Sequence, residues 1–363
     1  RRNFKPLNIK TRIEIMKHVT SAMLLALGLG LFTAGTSMPA TAAQDIAGYD
    51  RFDVQAAHRA RPLAASIWYP AGSHIYVAPV GKSAIWQSTN AYIGAAIEPG
   101  KHPLILVSHG SGGNMDGIGW LSSQLALRGA IVLAVNHPGT TTGDSSPRRT
   151  MYLGQRSADV TAALDQVLAN PEFAPYIDTN NISAVGFSLG GTTVLNLAGM
   201  QFDRAAYRDY CVKYQDSAQD CIFYKKGGVD FAHLPDDFTN GYRDTRISKT
   251  VAIEPGMSFA VKPDSLADVS NPVLFIKLGQ EHGWLAGDVS ASGSNLVAKV
   301  KDASLAVFAP AYHLTFLAEC EPGAAKLLEE MDDDPICTDP VGTDRSLVHR
   351  QVADEIATFL GLP

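Results

Sequence analysis

Five residues, Gly186-Phe187-Ser188-Leu189-Gly190, constrain this chain more than any other stretch. The apolar run Ile182-Ser183-Ala184-Val185 precedes them and Gly191-Thr192-Thr193-Val194-Leu195-Asn196-Leu197-Ala198 follows. The pattern reads as a strand, a very tight turn and a helix. Glycine two residues before and two after a serine is the requirement of a nucleophile elbow. In such a turn the serine backbone is strained, and a Cβ on either flanking glycine would strike the neighbouring strand or helix. The serine oxygen is then lifted clear of the sheet at the positive end of the following helix. Without that context the stretch would be a glycine-rich turn that holds a serine by chance.

The rest of the chain supplies the sheet such an elbow needs. Pro103-Leu104-Ile105-Leu106-Val107-Ser108 and Ile131-Val132-Leu133-Ala134-Val135 are continuous apolar runs, as strands buried on both faces should be. Strand text recurs at residues 49–54, 63–69, 250–253, 272–278 and 304–308, while residues 71–101 read as a mixed loop. Helical text runs from Trp120 to Arg128, along the stripe Val160, Leu164, Val167 and Leu168, and along Val348, Val352, Ile356 and Phe359. Strands alternating with helices predict an α/β fold with a mostly parallel sheet covered on both faces. At 363 residues, 46% apolar and 18% charged, the chain fits one large domain with a sizeable core. Residues 201–247 break the rhythm with aromatics, charges and a cysteine pair, and are expected to form a lid-like insertion or pocket wall over the active face; a plain surface loop is the alternative.

The first 43 residues stand apart. They hold six basic residues and one acidic one, so the formal net charge of −6 for the chain becomes −11 for the remainder. An acidic body argues against nucleic acid and against anionic membrane surfaces as partners. Met16-Lys17-His18, the apolar run Ala22 to Phe32 and Met38-Pro39-Ala40-Thr41-Ala42-Ala43 have the order of a secretory signal, cleaved after Ala42 or Ala43, with residues 1–15 as upstream extension. The apolar run is shorter than the ~20 residues that span a bilayer, so no membrane span is expected in the mature protein. An exported, periplasmic or extracellular protein fits four cysteines in an oxidising compartment. Of the three possible pairings, Cys211–Cys221 and Cys320–Cys337 are the simplest, each pinning a loop outside the core.

A serine hydroxyl needs a base within hydrogen-bond reach, and the base needs an orienting acid. With this elbow the chain order is serine, acid, histidine. That leaves His233, His282, His313 and His349 as bases. His313 lies just after the last strand, where functional groups gather in parallel sheets; His349 falls in the terminal helix and His233 in the insertion. For the acid, Glu254 and Glu281 both follow strands and both remain open, with Asp264, Asp268 and Asp288 weaker. The backbone N–H groups of Leu189 and of Ser111 are the expected oxyanion donors, Ser111 lying in Ser108-His109-Gly110-Ser111-Gly112-Gly113, a loop of the HGGG type. That loop lacks the Lys-Ser/Thr ending of a phosphate-binding P-loop. His109 is expected to be structural.

With these residues in place the chain resembles the α/β-hydrolases, specifically the secreted dienelactone-hydrolase-like group related to platelet-activating-factor acetylhydrolases. The resemblance runs from about Phe52 to the C-terminus and rests on Ile67-Trp68-Tyr69-Pro70, Leu106-Val107-Ser108-His109-Gly110, Asn136-His137-Pro138-Gly139, the elbow, and His313 with Phe316-Leu317 and Cys320. It implies the α/β-hydrolase fold and a serine hydrolase of small-molecule carboxylic esters that needs no metal or organic cofactor. The acetylhydrolase relatives place their acid where Ala252-Ile253-Glu254-Pro255 stands, which implies Glu254. The alternative turn one strand later reads Gly279-Gln280-Glu281-His282, with histidine in the acid's place, which weakens Glu281. True dienelactone hydrolases use a cysteine nucleophile, so Ser188 carries no implication of lactone chemistry. An amidase or peptidase with the same triad, and a hydrolase fold kept as a binding protein, are the rival expectations. Acyl and alcohol size and oligomeric state are left open.

Overall fold

Continuous apolar runs bury both faces of a strand, and those of this chain form the centre of a ten-stranded sheet. The computed structural model describes residues 46–280 and 283–363. The expected leader, residues 1–43, and the alternative acid Glu281 lie outside the described residues.

In chain order the strands are β1 (Gly48–Val54), β2 (Leu63–Tyr69), β3 (Val77–Val80), β4 (Thr89–Ile93), β5 (His102–Ser108) and β6 (Ile131–Val135). A two-residue hairpin follows, β7 (Thr140–Thr141) with β8 (Asp144–Ser145), and then β9 (Ile177–Phe187), β10 (Ile247–Ile253), β11 (Val273–Leu278) and β12 (Ala303–Phe308). The helices are α1 (Gly119–Ala126), α2 (Pro147–Thr150), α3 (Leu153–Ala169), α4 (Leu189–Ala198), α5 (Arg204–Tyr214), α6 (Gln219–Lys226), α7 (Leu296–Lys299), α8 (Ala324–Glu330) and α9 (Arg345–Leu360). The sheet order is β12-β11-β10-β9-β5-β6-β2-β1-β4-β3. From β12 to β6 every pairing is parallel; β2 then runs antiparallel to β6 and β1 antiparallel to β2.

Alternation along each central strand separates two cores. Leu104 and Leu106 of β5, with Ile131, Leu133 and Val135 of β6, join the apolar faces of α3 and α4. Ile105 and Val107, with Val132 and Ala134, join α1 and α9 through Leu121, Leu125, Val352 and Ile356. Period-two side-chain direction is the reason one apolar run serves both cores.

Residues 71–101 are not the loop expected. They hold β3 and β4, an antiparallel pair joined to β1 at the sheet edge. The strands are short and β3 is mostly exposed, so they carry no continuous apolar run. The insertion folds into α5, α6 and short 3-10 turns, and the sheet resumes at Ile247. Most of its aromatics do not face a pocket. Phe202, Tyr207, Tyr210 and Phe238 form a third, smaller core beside the elbow residue Leu189. The cysteines pair as expected, Cys211 with Cys221 and Cys320 with Cys337. Among the described residues no helix is long and apolar enough to cross a membrane.

Candidate active site

Strand β9 is central in the sheet and ends at Phe187, so the turn that follows stands in the middle of the sheet's carboxyl edge. Ser188 has φ 55° and ψ −119°, a conformation that L residues rarely adopt. Its backbone is held from both sides: its N–H donates to Ile253 O at 2.9 Å, and its carbonyl accepts from Gly256 N at 3.0 Å and Thr192 N at 3.2 Å. The flanking glycines are required by close approach. A Cβ on Gly186 would lie 2.1 Å from Gly190 O, and one on Gly190 would lie 1.9 Å from Ser108 O.

His313 opens a 3-10 turn, His313–Phe316, beyond the end of β12. Its Nε2 lies 3.1 Å from Ser188 Oγ and its Nδ1 3.1 Å from Glu254 Oε2. The ring is sandwiched by Phe187, centroids 4.7 Å apart, and Trp284 at 3.9 Å. Glu254 follows β10 directly, is fully buried, and has φ 45°. Its second carboxylate oxygen, Oε1, accepts the backbone N–H of Leu278 at 2.8 Å. With Oε1 so occupied, Oε2 faces the imidazole, and Nδ1 carries the proton it donates to it. Of the other candidate bases, His282 lies outside the described residues and two stand elsewhere. His233 is exposed against Asp230, and His349 is buried in α9, donating from Nε2 to Thr315 O at 3.0 Å. Asp288 is bound to Lys277 at 3.0 Å rather than to an imidazole.

Leu189 N opens α4, where helix geometry leaves the first N–H groups without an internal acceptor. The loop after β5 presses against the serine: a Cβ on Gly110 would lie 3.2 Å from Ser188 Cβ. Ser188, His313, Leu189 and Ser111 line one cavity of about 460 Å³. Phe223 and Tyr224 of α6 form one wall, so the insertion does reach the site. Asp334 and Pro335, inside the Cys320–Cys337 loop, form another part of the rim. Both disulfide-closed segments thus border the cavity rather than decorating a remote surface. Asp220, in the α6 wall, accepts from the hydroxyls of Tyr207 at 2.8 Å and Tyr210 at 3.0 Å, and burial raises its pKa.

Sequence reasoning missed a buried polar network behind the loop that follows β5. Asp159 of α3 accepts from Arg59 Nε and Nη2, both at 2.7 Å, and meets His58 Nε2 at 2.7 Å and His137 Nδ1 at 2.9 Å. The signal was present: Arg156 lies on the same α3 stripe as Val160, Ala163 and Val167, and a charge on an apolar stripe needs a buried partner. His109 is structural as expected; its Nδ1 donates to Gly110 O at 2.7 Å, and burial holds its pKa well below the ordinary value. Among the described residues, no group of three or more His, Cys, Asp or Glu side chains is arranged to hold a metal ion.

Buried histidines set an acid limit on stability, His137 and His349 beside the His109 already described. Burial lowers the pKa of His137 to about 4, and of His349 to about 4. The folded chain therefore keeps both neutral where the unfolded chain, titrating near 6.5, takes up protons. Their contribution is complete above about pH 6.5, declines as pH falls, and is gone below about pH 4, at up to about 1.4 kcal/mol per pH unit for each histidine. Urea midpoints should fall between pH 7 and pH 4.5, and His349→Asn should flatten part of that slope. A midpoint constant over this range would contradict the assignment.

No family model and no curated protein sequence matches the chain. Among solved structures, a ferulic acid esterase from Streptomyces cinnamoneus superposes with a TM-score of 0.56 at 16% identity, over 89% of this chain and 91% of its own. One of two fungal esterases from Rhizomucor miehei gives 0.47 at 12% identity, over 86% and 83%. An esterase from Pyrobaculum calidifontis gives 0.45 at 14%, over 86% and 84%. The first of these, taken with the sheet order and the tight strand-to-helix turn at its centre, shows that the described residues adopt the α/β-hydrolase fold.

Proposed function

We propose that this protein is an exported serine hydrolase that cleaves small-molecule carboxylic esters through an acyl-serine intermediate. The observation that carries the reading is the unbroken hydrogen-bonded line from buried Glu254 through His313 to Ser188 Oγ, each step 3.1 Å. In this reading Ser188 Oγ attacks the ester carbonyl as His313 Nε2 takes its proton. Glu254 holds the Nδ1–H tautomer and stabilises the imidazolium that forms. The N–H groups of Leu189 and Ser111 receive the oxyanion of the tetrahedral intermediate. His313 then protonates the leaving alcohol, and water hydrolyses the acyl-serine by the reverse sequence. The tight turn at Ser188 and the sandwich around the imidazole fix both groups before substrate arrives, which is where the rate advantage of such sites originates.

The esterase activity of the Streptomyces cinnamoneus protein agrees in reaction class. The dienelactone-hydrolase-like group is our subfamily assignment, resting on the sequence marks around Ser108-His109-Gly110, the elbow and His313. Residues 1–43 are read as extension and signal peptide ahead of one catalytic domain. Support comes from Gln44–Pro363 being one compact unit and from two disulfides, which suit an oxidising compartment. The cavity walls are chiefly apolar and aromatic, including Phe223, Trp284 and Met257, which suits a neutral acyl or alcohol group.

The test compares aryl esters of increasing acyl length with matched anilides on purified protein. Esters should turn over well ahead of the anilides, with an optimum at the chain length the cavity accommodates. Equal or better anilide cleavage would move the assignment to an amidase or peptidase. Turnover of neither, with no labelling by a fluorophosphonate, would leave a binding protein.

A further inference from the structure

Arg156 is 2% exposed, yet the mechanism above makes no use of it. The one carboxylate in its neighbourhood, Asp159, is engaged in a two-pronged pairing with Arg59. Arg156 is left with neutral acceptors. Its Nε donates to Thr193 Oγ1 at 3.0 Å, its Nη1 to Thr140 Oγ1, and its Nη2 to Ser108 Oγ at 3.1 Å and to His109 O. Desolvation lowers its pKa to about 9, which still leaves it charged at neutral pH. A buried cation without a directly bonded counterion weakens a fold, so its retention calls for a reason other than stability.

The acceptors supply the reason. Ser108 and His109 lead directly into Gly110 and Ser111. Thr193 stands on the first turns of α4, and its hydroxyl donates to Leu189 O at 3.0 Å. Thr140 holds the same loop from its far side, its carbonyl accepting from Gly112 N at 2.8 Å. His137, which donates to Asp159, completes the scaffold by accepting at Nε2 from Ser108 Oγ at 3.0 Å. One planar guanidinium therefore spans the two segments that carry the Ser111 and Leu189 N–H groups. A rigid fork with several donors does this where a single-point ammonium does not.

We propose that Arg156 is a positioning residue for the oxyanion site, fixing the separation of the Ser111 and Leu189 N–H groups by bridging the loop after β5 to the first turns of α4. The inference rests on the serine-hydrolase reading. Donors aimed at a developing charge are effective only when held at the right separation beforehand. Loosening the bridge should therefore weaken binding of the tetrahedral intermediate and leave binding of the flat ester almost untouched.

The experiment uses the mature protein with Arg156→Gln, Arg156→Lys and the near-isosteric Thr193→Val, which removes one acceptor of the fork. Wild-type turnover of an aryl acetate, lost in Ser188→Ala, is established first; its absence would sink the reading of the site itself. Given that turnover, Arg156→Gln should lower kcat about 100-fold and Thr193→Val about tenfold, with KM changed less than about threefold. Arg156→Lys should fall between Arg156→Gln and wild type. Affinity for an aryl trifluoromethyl ketone, which forms a tetrahedral adduct on the serine, should drop in step with kcat/KM. The pH profile of kcat/KM should not move, because the His313–Glu254 pair is untouched. Should Arg156→Gln fail to fold, Thr193→Val decides. Folded variants that keep wild-type kcat, or lose only KM, or bind the ketone as tightly as wild type, would overturn the inference and leave the esterase reading standing.

Discussion

Ser188→Ala should reduce kcat for an aryl ester by about a million-fold while leaving the thermal unfolding temperature within a few degrees of wild type. The expectation follows from how the three side chains depend on one another. Ser188 Oγ is an ordinary hydroxyl until His313 Nε2, 3.1 Å away, can accept its proton. His313→Ala should cost about as much as Ser188→Ala, and the double variant scarcely more than either, since the two act as a unit. Glu254→Gln should cost less, on the order of ten-thousand-fold, because the amide can present its NH₂ to Nδ1 and favour the wrong imidazole tautomer. With its NH₂ on Nδ1 the amide keeps its oxygen on the Leu278 N–H, so Glu254→Gln, like Ser188→Ala, should leave the fold nearly as stable as wild type. Steady-state kinetics beside thermal melts separate these effects. A Ser188→Ala protein retaining more than about a hundredth of wild-type kcat would remove the serine from the mechanism.

Gly190→Ala should be among the most damaging glycine-to-alanine changes in the described residues. The added Cβ would stand 1.9 Å from Ser108 O and 2.9 Å from His109 O, both backbone atoms of the strand end packed against the elbow. No rotamer change relieves such a clash. Either the elbow separates from β5 or the chain fails to fold, at a cost above about 4 kcal/mol. Gly143→Ala is the control. Gly143 has φ 80° with nothing within 4 Å of its would-be Cβ, so only backbone strain of about 1 kcal/mol is incurred. Soluble yield and urea midpoints of the two variants measure the difference. Comparable stability would mean that the elbow is not packed as described.

The centre of the molecule was the most legible part of the sequence. Residues 104–107 and 131–135 are apolar without interruption and residues 182–185 are broken only by Ser183, as strands covered on both sides should be. The elbow glycines were readable because their requirement is steric and local. The pairing of His313 with Ser188, 125 residues apart, was readable through chain order, which left four histidines, and through the place of His313 just after a strand, since periodicity carries no distance. Glu254 could be separated from Glu281 by resemblance alone; nothing in a lone glutamate after a strand distinguishes a buried orienting carboxylate from a solvated one. The edge strands β3 and β4 escaped because half-exposed strands at a sheet margin bury too little to show a pattern. Residues 201–247 were readable as an insertion, but not which of its aromatics line the cavity and which form a local core, a distinction set by the fold of α5 and α6 rather than by composition.

The central claim, that Ser188 forms a covalent bond with the acyl group, has a direct test. Intact-protein mass spectrometry after rapid acid quench of an aryl acetate reaction should show one acetyl addition per chain, mapped by fragmentation to Ser188 and missing in Ser188→Ala. Turnover at the wild-type rate with no adduct, or an adduct carried by another residue, would contradict this account.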